Sequence, residues 1–199
     1  MGRPRKVTDE QLMAACGRAI GRYGPRFTLA QVAHEAGVAT ATVAERFGSK
    51  QALLETMLTT ENAGLADRMR AAARAAGASG AAGGQVGALR AAALVGAEQV
   101  ADAATAANHL AQLGADLADP ALRAGVAEQR DLVRGVLTEL AADAAGAGEL
   151  PRAPSPEVAA RVLAALVHGA QVDWAMRPDG SLIDRLLADV DAVLSAWGR

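Results

Sequence analysis

Residues Thr28 to Leu54 read TLAQVAHEAGVATATVAERFGSKQALL, which spells out two short helices and the start of a long one. Thr28 opens a capping box with Gln31 at N3, two orphan helix N–H groups being satisfied reciprocally. That helix has room for about two turns before Gly37, a natural left-handed residue at a helix end. The next short helix runs from about Thr40 to Phe47. Gly48-Ser49 breaks the chain, and Ser49 caps a long helix through Leu53, Leu54, Met57 and Leu58 to about Ala75. Upstream, Thr8-Asp-Glu-Gln is a second capping box, followed by apolar residues at Leu12, Ala15, Cys16, Ala19 and Ile20, the spacing of a one-faced helix. Gly24-Pro25 ends it. Three short helices, the last two joined by a tight glycine turn, meet the requirements of a helix-turn-helix. In such a motif the second helix crosses the phosphate backbone. The third lies in the major groove, the only groove wide enough for it. Its core is expected from Ile20, Leu29, Val32, Ala33, Ala36, Val38, Val43 and Phe47, packed on Cys16 and the long fourth helix.

The rest of the composition agrees with an all-α chain. Hydrophobic residues make up 51% and aromatics only 3%, so the core is built of Ala, Leu and Val; Ala and Leu favour helix, whereas strands usually draw on aromatic and β-branched residues. No strand pattern or internal repeat is present. The net charge of -2 hides an asymmetry. Residues 1–60 carry 8 Lys/Arg against 5 Asp/Glu, and the remaining residues carry 12 against 17. A basic head on an acidic body implies that only the head meets a polyanion. Both lysines, Lys6 and Lys50, lie in that head. With Cys16 alone, no internal disulfide can form, which suits a reducing compartment; its expected role is a small buried side chain. No run approaches the roughly 20 apolar residues of a membrane span, and the basic N-terminus lacks a signal-peptide core. A cytoplasmic location is the expectation.

The run from Thr28 to Leu54 resembles the signature of the TetR family of repressors, roughly T-x-x-x-I-A-x-x-A-G-V-S-x-x-T-[LV]-Y-x-[HY]-F-x-[ST]-K-x-x-L. The matches are Thr28, Val32, Ala33, Ala36, Gly37, Val38, Thr42, Val43, Phe47, Ser49, Lys50 and Leu54. The tail is similar too, through Gly148-Glu-Leu-Pro, Pro156-Glu-Val-Ala-Ala and Asp173-Trp-Ala-Met-Arg-Pro-Asp-Gly-Ser-Leu182. Two departures stand out. Ala39 occupies the place of the serine that usually caps the recognition helix, with Thr40 expected to take over the cap by a one-residue shift. Ala44 replaces the usual phosphate-contacting tyrosine. The resemblance implies a DNA-binding head over residues 1–55 and a ligand-binding and dimerisation domain over 56–199.

Candidate DNA contacts follow. Lys50 sits in the first turn of its helix, where a cation opposes the dipole; it either meets a phosphate or is simply solvated. Thr42 contacts phosphate or base, or packs on the surface. Thr28 is a cap that can also reach a phosphate. Arg46 reaches a phosphate or guanine, or pairs with Glu45 or Glu35. Thr40 and Ala41 lie at the front of the recognition helix, where side chains reach base edges. Arg3, Arg5 and Lys6 form a Gly-Arg-Pro arm of the kind that enters narrow minor grooves, the alternative being a tail without contacts.

The body reads as helices at about 86–104, 106–116, 120–145, 156–176 and 181–197, giving about nine in all. The stretch Gly77 to Gly84 reads as a linker or mobile loop. The last two helices present Val162, Leu166 and Gly169, then Leu186, Val190, Val193 and Trp197, a face that the resemblance implies is a four-helix dimer interface. The alternative face of the first is Leu163, Val167, Ala170 and Trp174. Polar groups among apolar ones mark either a candidate effector site for a small apolar ligand or an imperfect core: His109, Gln112 and Gln171 with Leu113, Leu117 and Trp174. His34, His109 and His168 have no zinc-ligand spacing. No P-loop, G-x-S-x-G or dinucleotide fingerprint occurs, so neither an enzyme nor a cofactor is expected. The expected partners are a palindromic DNA duplex, a small effector and a second copy of the chain. The alternative function is a helical dimerisation or adaptor protein whose DNA head is impaired by Ala39, Ala44 and Glu45.

Overall fold

The computed structural model describes residues 7–78, 84–97 and 102–198. The basic arm with Arg3, Arg5 and Lys6, and positions 79–83 of the expected Gly77–Gly84 connector, lie outside the described residues. Among the described residues there are nine α-helices and no strand. They are α1 (Asp9–Tyr23), α2 (Leu29–Ala36), α3 (Thr40–Phe47), α4 (Lys50–Gly77), α5 (Gly84–Ala93), α6 (Ala103–Ala118), α7 (Pro120–Gly146), α8 (Pro156–Met176) and α9 (Leu182–Gly198), with a 3-10 turn at Gly24–Arg26.

The helices sort into two compact units, Met1–Thr60 with Ala104–Val126, and Glu61–Ala103 with Ala127–Arg199. In the first, α1, α2, α3 and the start of α4 enclose Leu12, Cys16, Ala19, Ile20, Phe27, Val32, Ala33, Val43 and Leu53, each at most 3% exposed, and Leu122 joins them. Leu29, Ala36, Val38 and Phe47 pack against that core partly buried. In the second, Met69, Leu89, Val136, Leu137, Leu163, Val190 and Leu194 form a separate core.

Local signals set most helix starts. Thr8 with Gln11, and Thr28 with Gln31, both close full capping boxes. The Ser49 hydroxyl accepts from the Ala52 N–H at 3.1 Å. Asp119 accepts from the N–H groups of Ala121 and Leu122, with Pro120 as the first helical residue of α7. One start depends on a remote residue: the Glu149 carboxylate accepts from the Gln85 N–H at 3.1 Å and the Val86 N–H at 2.9 Å. A carboxylate also complements the positive end of the helix dipole.

The helix expected over 86–104 is shorter than its sequence suggests. It stops at Ala93, where Leu94 and Val95 donate to Ala91 and Ala92 three residues back, tightening the last turn, and Gly96 follows at φ 89. The Ala and Leu residues up to Leu94 favour helix, so propensity alone carried the expected helix past its end.

α8 presents two faces. Leu163, Ala170 and Trp174 are buried in the chain, and Val162 is 38% exposed with Gly169 also exposed. Leu186 and Val190 are both 0% exposed, so they belong to the core of this chain and are corrected out of the expected dimer face. Val193 and Trp197 remain partly buried at its edge.

Candidate nucleic-acid interface

The turn between α2 and α3 is built on Gly37, at φ 68 and ψ 33. Val38 N–H donates to Ala33 O and Gly37 N–H to His34 O, the paired bonds of a Schellman ending, and only glycine adopts this conformation at no steric cost. The recognition helix α3 then starts at Thr40. Its N-cap is Ala39, with φ -70 and ψ 145 and no side-chain cap bond. Thr40 is thus the first helical residue and does not replace the missing cap. The Thr40 and Ala41 side chains are exposed and Thr42 is half-buried, with Val43 buried beneath them. Glu45 and His34 are exposed, and Ala44 is half-buried.

Lys50, the first residue of α4, is half-buried. Its Nζ donates to Pro25 O at 2.5 Å and stands 4.1 Å from the centroid of the Phe27 ring, which is 1% exposed. Desolvation lowers its pKa, opposed by the Cys16 thiol and the Asp116 carboxylate. Arg46 pairs with neither Glu45 nor Glu35. Its Nε lies 2.6 Å from the Asp9 carboxylate, and another of its nitrogens donates to Val7 O at 3.1 Å. Glu35 is engaged by Arg22 at 2.9 Å and Arg18 at 3.4 Å. These pairs hold α3 to the start of α1 and α2 to its end. The sequence reading missed Asp9 and Pro25 because each lies 25 or more positions from its partner, beyond any helical spacing.

α6 packs on the same unit. Asn108 Nδ2 donates to Gly21 O at 2.8 Å, and a Cβ on Gly24 would stand 2.9 Å from the Asn108 Oδ1. Gly24 sits at φ 57, so both its backbone and its neighbour require glycine. His109, one residue on, is half-buried beside Gly21, and burial lowers its pKa.

The six residues expected at the effector site do not gather in one unit. His109, Gln112, Leu113 and Leu117 lie in the first, with Leu117 46% exposed, and Gln171 and Trp174 lie in the second. The Trp174 indole donates to Gly180 O at 3.3 Å. The second unit has a cleft of about 400 Å³ lined by Arg70, Ala73, Arg74, Gly77, Gly84, Gln85, Ala88, Glu139, Leu140 and Asp143, none of them anticipated. Arg70 spans it to Glu139 with bonds of 3.0 and 3.2 Å. No group of His, Cys, Asp and Glu among the described residues could hold a metal ion.

His168 stands 2.9–3.1 Å from the Arg130 guanidinium. Burial, and then the Arg130 charge, lowers its pKa below the ordinary 6.5. Both His109 and His168 are therefore held neutral in the fold. The sign follows: below about pH 6.5 the unfolded chain binds protons that the native chain refuses, so stability falls with acid until the lowered native values are reached. His168→Gln is expected to flatten that fall between pH 7.5 and about 5.5 in thermal melts. An unchanged pH slope would contradict it.

Two family models match. One, for the C-terminal region of BetI-type transcriptional repressors, covers residues 91–197. The other, for bacterial regulatory proteins of the tetR family, covers residues 12–57. Among solved structures, the chain is similar to a TetR transcriptional regulator from Streptomyces coelicolor at 25% identity and TM-score 0.64, over 96% of this chain and 98% of that one. A TetR transcription regulator from Haloarcula marismortui matches at 18% identity and TM-score 0.74, over 96% and 98%. SmeT, the repressor of the Stenotrophomonas maltophilia multidrug efflux pump SmeDEF, matches at 18% identity and TM-score 0.65, over 98% and 92%. No curated protein sequence matches the chain. No helix among the described residues is long and apolar enough to cross a membrane.

Proposed function

The chain belongs to the TetR family of bacterial transcriptional regulators, and from that premise we propose that it is a ligand-responsive repressor that binds a palindromic operator as a homodimer. The observation that carries the reading is the left-handed Gly37 turn, which sets α3 after α2 with Thr40 and Ala41 exposed at its front. Residues 1–55 supply the DNA contacts in this reading, and residues 56–199 take the ligand and the second copy. Thr40 and Ala41 face base edges; Thr28 and Thr42 face phosphates, and Lys50 reaches one by leaving Pro25 O and the Phe27 ring; Arg3, Arg5 and Lys6 enter the minor groove. Arg46 reaches DNA only by exchanging Asp9 for it. The exposed face of α8, with Val162, Leu166 and Gly169, and the edge residues Val193 and Trp197, meet the partner copy. A twofold dimer places two recognition helices roughly 34–36 Å apart, or a small multiple of that.

The effector is a small, mainly apolar molecule that binds a DNA-incompetent state more tightly. A preference of about 100-fold corresponds to about 2.7 kcal/mol of coupling, and operator must weaken effector binding by the same factor. SmeT supports the repressor reading as a relative in fold. A cytoplasmic location follows from the work of a DNA-binding regulator.

Lys50→Ala tests the contact map. It should weaken binding to every duplex and lower the slope of log affinity against log salt by about one ion per chain. Fluorescence anisotropy over a salt series measures both. Unchanged affinity and slope would remove Lys50 from the interface.

A further inference from the structure

The cleft of the second unit has walls of opposite charge. On one side α4 supplies Arg70 and Arg74, one helical turn apart; on the other α7 supplies Glu139 and Asp143 at the same spacing. Asn62 Nδ2 donates to Glu128 at 3.3 Å and Arg70 donates to Glu139 at 3.0 Å, so the two helices run side by side in one direction, with Arg74 and Asp143 as the next rung. The Arg70–Glu139 rung is closed. The next is open: neither Arg74 nor Asp143 makes an ion pair among the described residues, and both are exposed. Between the walls lie Ala73, 3% exposed, Ala88, 5% exposed, and the partly buried Leu140. Like charges one turn apart on a helix repel, so each wall is unfavourable by itself. Arg74 has the sign that the last turn of α4 favours, but Asp143 does not: it lies in the last turn of α7, where no basic residue offsets it and a carboxylate meets the negative end of the helix dipole. Helix stability therefore leaves Asp143 unexplained.

We propose that this cleft binds a small zwitterion, an α-amino acid with an apolar side chain. Its carboxylate meets the arginine wall at Arg74, its ammonium meets the acidic wall at Asp143, and its side chain lies over Ala73, Ala88 and Leu140. One such molecule closes the open rung. An anion alone would leave Asp143 unmatched, a cation alone would leave Arg74 unmatched, and a neutral apolar ligand would leave both. The volume of about 400 Å³ falls in the range of about 300–1,000 Å³ usual for small-molecule sites. An exposed ion pair is weak, so Arg70 and Glu139 can turn toward the same ligand at little loss. The Gln85 carboxamide, also in the lining, offers a neutral donor and acceptor. This ligand goes beyond the mainly apolar effector proposed above, and the site lies wholly in the second unit.

Calorimetric titration of the full chain with L-alanine, L-valine, L-leucine and L-methionine, each alone, tests the site. For the tightest of them, the amide, which lacks the carboxylate, and the deaminated acid, which lacks the ammonium, are the controls. At least one amino acid should bind with a Kd of about 1 mM or below. Both controls should bind at least about tenfold more weakly, because each leaves one wall unmatched. Arg74→Gln and Asp143→Asn change exposed side chains, so both variants should melt like the wild type, and each should weaken binding by about tenfold or more. Arg177→Gln, which removes an exposed charge outside the cleft, should leave affinity unchanged. The methyl signals of Ala73, Ala88 and Leu140 should move in NMR spectra as the amino acid is added. No binding by any of the four at millimolar concentration, a control as tight as its parent, or full affinity in both cleft variants overturns the site. Each of these failures leaves the repressor reading standing, because Arg74 and Asp143 lie outside residues 1–55.

Discussion

Raising monovalent salt from about 50 to 200 mM is expected to lower affinity for a specific duplex by about a thousandfold to a hundred-thousandfold. In the proposed contact map each head brings the charges of Arg3, Arg5, Lys6 and Lys50 to DNA, so a dimer would neutralise about eight phosphates, inside the range that produces such a slope. Arg46 adds little to this count. Its Asp9 partner sits 2.6 Å away, and exchanging one anion for another releases few net counterions. Hydrogen bonds from Thr28 and Thr42 add affinity without adding to the slope. Anisotropy titrations across the salt range give the number directly. A fall smaller than about tenfold would mean that fewer than about two charges reach the backbone, and the basic arm would then have to be read as a tail.

Phe27→Ala is expected to destabilise the first unit by about 3–5 kcal/mol, the usual cost of removing a fully buried aromatic ring. Phe27 is 1% exposed among Leu12, Cys16, Val32 and Val43. Its ring also lies 4.1 Å beneath the Lys50 ammonium, a cation–π contact of about 0.5–2 kcal/mol. The substitution therefore empties a core site and removes a seat of Lys50 together. Denaturant unfolding followed by circular dichroism should show an early transition, and Phe27→Leu should recover much of the loss. A cost under about 1 kcal/mol would show that the ring is not part of a close-packed core.

The sequence made the head legible where its signals are local. Thr8 with Gln11, Thr28 with Gln31, Gly37 and Ser49 each act within a few positions, and each does in the structure what its chemistry implies. Periodicity likewise identified Val32, Ala33 and Val43 as core. It could not tell whether the single apolar face of α9 packs within the chain or on a second copy, so Leu186 and Val190 were assigned to a partner although the chain itself buries them. Contacts between distant residues were illegible for a different reason. Nothing in a helical pattern pairs Arg46 with Asp9, Lys50 with the carbonyl of Pro25, or Glu149 with the start of α5. The expected effector group rests on helical spacing alone, which places residues on faces, and its members belong to two units. Ala39 shows the limit of analogy within the motif. A lost cap was expected to move to Thr40, yet α3 starts without a side-chain cap, a loss of about 1 kcal/mol at that helix end.

The most direct measurement is selection of duplexes from a random-sequence pool by the full chain, with sedimentation of the enriched complex. The account predicts enrichment of an inverted repeat whose half-site centres lie one helical turn or a small multiple apart, bound by two or another even number of chains. Enrichment of no sequence, or of a single unrepeated motif bound by one chain, would contradict it; the first result would favour a helical adaptor whose head no longer reads DNA.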